Sequence, residues 1–184
     1  HVLALHKPLA KMVFRHWGIP TPAFQVFQDP EQPLHPGLPF PLIIKPSSEG
    51  SSVGIGPEAV VGDERALRTA VARVLVEYGQ SALVEQFIPG REFTVGVLGN
   101  DPPRVLPPEE IIFPAEEVRE AASIYGYVMK ERDRVERLCP PPFPRRSGRR
   151  SRRWRCSPSM LWGVATTPGW TSAWIGPVYL SCWR

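Results

Sequence analysis

Leu42-Ile43-Ile44-Lys45-Pro46-Ser47-Ser48-Glu49-Gly50-Ser51-Ser52-Val53-Gly54 is a short apolar run that ends on a lysine and passes into a stretch of small polar residues. The apolar part reads as a strand, and the serine- and glycine-rich part is too polar for a core and reads as a loop. A lysine at a strand end supplies positive charge. Glycines at 50 and 54 allow backbone N–H groups to turn toward an anion, and the serine hydroxyls add donors. The set suits phosphate. It is not the P-loop pattern, because no Gly-Lys-Ser/Thr precedes a helix. Taken alone, the loop is equally readable as a flexible surface segment beside a solvated lysine.

Outward from this stretch, Lys7 to Trp17 spaces Leu9, Met12, Val13, His16 and Trp17 at helical intervals, and Gly18 is placed to end the helix. Ile19-Pro20-Thr21-Pro22 forces an extended crossing, Ala23 to Phe27 alternates like a strand, and the Pro-rich residues 29–41 read as a loop. Downstream, Asp63 caps a helix reaching Glu77, with an apolar stripe of Leu67, Ala70, Val71, Val74 and Leu75 and Gly79 beyond its end. Strands follow at 82–87, 92–98, 104–106 and 110–113. Val84 to Thr94 reads as two strands joined by the Pro89-Gly90 turn, with Glu85 and Glu92 near the strand ends, where carboxylates can accept hydrogen bonds from an amine or hydroxyls. A plain hairpin with exposed acids is the competing reading. This order implies an α+β sheet with helices on one side.

The chain has 184 residues, 42% hydrophobic and 22% charged, enough for one or two modest domains. No stretch approaches the roughly 18 uncharged apolar residues of a membrane span, and no secretory signal opens the chain. It begins at His1 rather than Met and enters helical patterning at once, so it reads as a fragment. The net charge of +4 hides a split: residues 1–138 carry 14 Lys+Arg against 18 Asp+Glu, and residues 139–184 carry eight Arg and no acid. The tail holds Cys139, Cys156, Cys182 and five of the six tryptophans, and lacks Lys, Asp, Glu, Asn, Gln and His. Every codon of those six types has A in its second position, and 38 of the 46 tail residues have C or G there. A frame slip near Leu138 in a GC-rich gene produces this bias. Joining the last base of each tail codon to the first two of the next makes Trp170-Thr171 give Asp, Trp174-Ile175 give Asp and Cys182-Trp183 give Leu. The cysteines have neither a paired Cys-x-x-Cys nor histidine spacing, which speaks against a disulfide framework or a zinc site. The run Arg145 to Arg155, with Trp154, could be taken as a nucleic-acid tail; the frame slip accounts for it more fully.

In order and spacing, the segments resemble the ATP-grasp ligases, and most closely the D-alanine:D-alanine ligase family. The matching residues are Lys7 with Lys11, Gly18-Ile19-Pro20-Thr21-Pro22, Ile44-Lys45-Pro46, Glu49 through Gly54, Glu85 through Thr94 and Glu110-Ile111, over nearly all of residues 2–113. The resemblance implies an α+β, ATP-grasp fold, incomplete here, with mixed or antiparallel sheets and helices. It divides the chain into a nucleotide-binding region, 1–138, lacking an upstream domain, and an irregular, out-of-frame tail, 139–184. In the family, ATP phosphorylates a D-alanine carboxylate, and a second D-alanine attacks the acyl phosphate to make a dipeptide for peptidoglycan. ATP and Mg²⁺ (or Mn²⁺), a cytoplasmic location, a full-length homodimer and no specific nucleic-acid or membrane partner come with it.

On this resemblance, Lys7 and Lys45 hold ATP phosphates, and Glu49, Gly50, Ser51, Ser52, Val53 and Gly54 cover them. Ser51 and Ser52 join Lys130 as catalytic candidates, Lys130 coming from the family-like run Tyr125 to Lys130. Glu85, Gln86, Phe87, Ile88 and Glu92 hold the adenosine. Three departures stand out. His6 replaces the family's Asp, Glu131 replaces a Tyr, and the written tail lacks the family's Arg-x-Asp-Phe and Glu-x-Asn. The shifted frame can supply Arg-Val-Asp-Phe and then Val-Leu-Glu. As written, the chain is expected to offer no protein ligand to a metal, which ATP alone would hold, and to have no ligase turnover. The alternatives are a fragment of another ATP-grasp carboxylate:amine ligase, or a non-catalytic ATP-binding fragment whose basic tail binds nucleic acid adventitiously.

Overall fold

A computed structural model describes residues 2–99, 102–113, 136–142 and 173–174. The described residues fall into two compact units, one of residues 2–90 with Phe113, the other of 91–112, 136–142 and 173–174.

The first unit is a four-stranded antiparallel sheet with helices. Its strands are β1 (Phe24–Phe27), β2 (Leu42–Pro46), β3 (Val60–Val61) and β4 (Ala82–Gln86), in the order β1-β4-β2-β3. Side chains alternate across a strand, so the register sorts them onto two faces. Ile43 lies opposite Glu85, Ile44 opposite Val84 and Lys45 opposite Leu83. Leu42, Ile44, Ala82, Val84 and Phe27 share one face with the buried stripe of Leu67, Ala70, Val71 and Val74. That stripe belongs to α3 (Glu64–Tyr78). Each large apolar side chain fully buried there contributes roughly 1.5–3 kcal/mol. Asp63 caps α3, its Oδ1 accepting from Ala66 N at 2.8 Å, and Gly79 ends it at φ +62°. Arg68 of the same helix donates to the carbonyls of Pro30 and Gln32, pinning the Pro-rich loop.

The other face carries Ile43, Lys45, Leu83 and Glu85, and from β1 Phe24, which pairs with Glu85. Toward it comes α2 (Lys7–His16), which follows the short α1 (Val2–Leu5). The two helices therefore reach opposite faces of the sheet, where the sequence suggested one side. Pro8 and Lys11 are the buried residues of α2, and Leu9, Met12 and Trp17 are exposed. His6 is its N-cap, with Nδ1 accepting from Leu9 N at 3.3 Å.

The second unit contains two three-stranded antiparallel sheets. One joins β5 (Glu92–Thr94), β8 (Glu109–Ile112) and β9 (Glu136–Leu138); the other joins β6 (Gly96–Leu98), β7 (Arg104–Val105) and β10 (Ala173–Trp174). The strand expected over 92–98 is thus broken at Val95 between two sheets. The competing reading of 84–94 as a plain hairpin does not hold, because β4 pairs with β1 and β2 and β5 pairs with β8. Ala173 and Trp174, in the segment expected to be irregular, lie antiparallel to Val97 and Gly96.

Candidate functional site

Two lysines meet one glutamate on the face of the first sheet turned away from α3, and a third stands close by. Glu85, 5% exposed, offers both carboxylate oxygens to cations: Oε1 takes Lys45, and Oε2 takes Lys11 at 2.8 Å. Lys45 and Glu85 are diagonal neighbours on adjacent strands, a reach that a long side chain spans. Lys11 also donates to Thr21 Oγ1 at 2.6 Å and lies 5.1 Å from the centre of the Phe24 ring, over which Arg15 stacks as well. Lys7 stands one turn before Lys11, at i and i+4 on one helix face. Its Nζ donates to the carbonyls of Pro46 at 2.7 Å and Glu49 at 2.5 Å.

The charges around Glu85 do not cancel. Burial pushes the Lys7 ammonium down to a pKa of about 8, and Lys45 adds to the effect; the attraction of Glu49 and Glu85 offsets only part of it. Lys11 is likewise lowered, first by burial, against the pull of Glu85. Burial pushes the Glu85 carboxyl up, but Lys45 and Lys11 outweigh it and hold the group below its usual range. Three crowded lysines against the carboxylates of Glu85 and Glu49 leave an excess of positive charge, which favours an anion.

The serine loop leaves from the end of β2. Its root is fixed by Lys7 N donating to Ser47 O at 2.9 Å and by Ser47 N donating to Ser81 O at 3.1 Å. Beyond the root, Val53 N donates to Gly50 O and Ile55 N to Ser52 O, both at 3.0 Å. The left-handed residues are Ser51 (φ +49°), Ser52 (φ +61°) and Gly54 (φ +74°). Of the loop's two glycines only Gly54 is left-handed; the other two left-handed positions are taken by serines. A Cβ on Gly54 would lie 2.7 Å from Pro46 Cγ and 3.0 Å from Tyr78 Cζ. Ser51 is exposed, and Ser52 and Val53 are half-buried.

The structure brings Lys7, Lys45, Glu49 through Gly54 and Glu85 into one region of the first unit. Gln86 is half-buried at the end of β4 and opposite Leu42. Phe87 packs against Ile43 and Ala59, and its N–H is taken by Pro41 O at 3.0 Å. Ile88 follows, half-buried. Glu92 is buried in the second unit, opposite Ile111. Beside it, Arg91 grips Glu110 through both carboxylate oxygens at 2.5 Å, which holds that carboxyl below its usual range. Lys130 lies outside the described residues. Sequence reasoning gave no site role to Lys11, Thr21, Gln80 or Ser81. Only Lys11 left a signal, its spacing of four from Lys7. Among the described residues, no group of three or more His, Cys, Asp or Glu is placed to hold a metal ion. No helix among them is long and apolar enough to cross a membrane.

Residues 13–145 match the sequence model of the family described as D-ala D-ala ligase C-terminus. A D-alanine--D-alanine ligase of Desulfovibrio desulfuricans is 36% identical over 148 residues, covering 77% of this chain and 42% of that protein. One from Bordetella pertussis is 39% identical over 146 residues, covering 77% and 43%. The chain therefore spans about two fifths of the length of these relatives. Among solved structures, the D-alanine--D-alanine ligase of Bacillus anthracis complexed with ATP has a similar fold, with a TM-score of 0.54 at 23% identity over 77% of this chain and 42% of that one. The VanG D-Ala:D-Ser ligase of Enterococcus faecalis gives 0.52 at 27% identity over 66% and 36%.

Proposed function

The chain belongs to the D-alanine:D-alanine ligase family through the part that the C-terminal family model covers, and on that footing we propose that it carries the ATP-binding region of a ligase making the D-alanyl-D-alanine dipeptide of peptidoglycan. Its α+β fold is that of the ATP-grasp ligases. The observation that carries the proposal is the buried pair of Lys11 and Lys45 on Glu85, with half-buried Lys7 beside them tied to the root of the serine loop. Phosphoryl transfer rests on positioning and on neutralising phosphate charge, and this group supplies both. Lys7 and Lys45 would take the phosphates, the loop from Glu49 to Gly54 would cover them, and Ser51 and Ser52 would face the transferred group with Lys130. Gln86, Phe87, Ile88 and Glu92 would hold the adenosine.

Glu85 serves, on this reading, first as the counter-ion that keeps Lys11 and Lys45 in place, because its two oxygens already carry them. Mg²⁺ would arrive with the nucleotide, the setting would be the cytoplasm, and the longer relatives would act as dimers without a nucleic-acid partner. The written tail lacks Arg-x-Asp-Phe and Glu-x-Asn, so the chain would bind ATP without completing the ligation. The resemblance to a D-Ala:D-Ser ligase leaves room for a different acceptor. Calorimetric titration of the purified chain with MgATP should show saturable binding that Lys45→Met abolishes, and no D-alanine-dependent ADP release. Absence of nucleotide binding in the unmodified chain would refute the first part, and D-alanine-dependent ADP release the second.

A further inference from the structure

We propose that Gln80 is a positioning residue for the serine loop, holding the Ser48 N–H and the Glu49 carboxylate in one amide fork and keeping that carboxylate off Lys7. The inference rests on the reading of this loop as the phosphate cover. Gln80 follows Gly79, whose left-handed backbone turns the chain out of α3, and precedes Ser81, which holds Ser47 by main chain and by a hydroxyl contact at 2.9 Å. From that fixed point Gln80 Oε1 accepts from Ser48 N at 2.6 Å, and Nε2 donates to Glu49 Oε1 at 2.7 Å. The polarity of the fork is determined. Rotating the amide by half a turn would set oxygen against carboxylate and NH₂ against N–H.

Glu49 is thereby gripped twice, its carbonyl by Lys7 Nζ and its carboxylate by Gln80. This matters because Glu49 is near enough to Lys7 to favour its charged form. Released from Gln80, the carboxylate would be free to swing toward the ammonium and compete with an incoming phosphate. Gln80 also fixes the root from which Ser51 and Ser52 enter their left-handed turn, a conformation that L-residues adopt only when their surroundings hold it.

The test uses the full chain and Gln80→Met, which keeps the volume and removes both bonds. In hydrogen exchange without ligand, the peptide spanning residues 47–56 should exchange about tenfold faster, while that of β4 stays unchanged. Gln80→Glu, able to accept from Ser48 N but repelling Glu49, should restore protection at Ser48 alone. With nucleotide, Gln80→Met should weaken ATP about tenfold and AMP by less than about twofold. Unchanged loop exchange overturns the inference, and so does an equal loss for ATP and AMP, which would reduce Gln80 to a fold contact. If the unmodified chain binds neither nucleotide, the proposed function fails instead. The exchange arm tells the two failures apart: faster loop exchange still supports Gln80 as the anchor, and unchanged exchange still refutes it.

Discussion

Glu85 is the residue on which the site turns, and its replacement is informative in both size and pH dependence. Glu85→Gln leaves Lys11 and Lys45 buried without their carboxylate and should cost about 3–5 kcal/mol in denaturant unfolding. Because the folded carboxyl sits below its ordinary value of 4.5, its stabilisation is complete above that value and is lost as pH falls through the lower folded one. The acid limb of the wild-type stability curve should therefore shrink in Glu85→Gln. Lys7 gives the same direction with pH from a cost rather than a gain. Its folded pKa of about 8 lies below the usual 10.5, so the cost of burying its charge is present below pH 8 and relieved as pH rises toward 10.5. Stability should rise across that alkaline window, and Lys7→Met should flatten the rise. Gly54→Ala places a methyl group against Pro46 and Tyr78 at φ +74° and should cost about 1–3 kcal/mol. Gly62→Ala, with open space around it, should change stability by less than about 0.5 kcal/mol. Lys45 and Gly54 stood out in the sequence as a strand-end lysine and a loop glycine, although spacing alone left a plain surface loop equally open. Gln80 did not, because one polar side chain between a helix and a strand carries no periodic signal; its meaning comes from a loop about 30 residues upstream.

At the level of elements, α3 was readable almost residue by residue because three independent local signals agree: the Asp63 cap, the apolar stripe and Gly79. Asp63→Ala should lower stability by about 1 kcal/mol in thermal unfolding, through the lost bond to Ala66 N. For α2 the extent was legible but not the facing. Periodicity marks which side of a helix differs from the other, and burial was inferred from apolarity; here the sheet presents Lys45 and Glu85, so α2 turns its lysines inward. The strands show the same limit. Local composition located β4 and β5, but pairing is a tertiary choice, and the Pro89-Gly90 link connects strands of different sheets rather than a hairpin.

Over the whole chain, composition and topology mark different boundaries. The charge and codon bias changes at Leu138, while the packing of the described residues divides after Gly90. The second boundary left no compositional trace, since both sides are ordinary globular sequence. The family match ends at residue 145, seven residues beyond Leu138, where the bias of the tail has taken over. Sequencing the gene from the Tyr125 region past Arg184 in three frames should restore Arg-x-Asp-Phe and Glu-x-Asn by a one- or two-base slip. A clean open frame matching the written peptide would refute the slip.

The surplus of lysine over carboxylate on the inner face of the first sheet makes solvent composition part of the chemistry. Inorganic phosphate or pyrophosphate, supplying the absent negative charge, should raise the melting temperature relative to chloride at equal ionic strength, by mass action on the folded state. The same salts should lower the apparent nucleotide affinity in titrations. On that expectation a phosphate buffer would act as a competitor rather than a bystander.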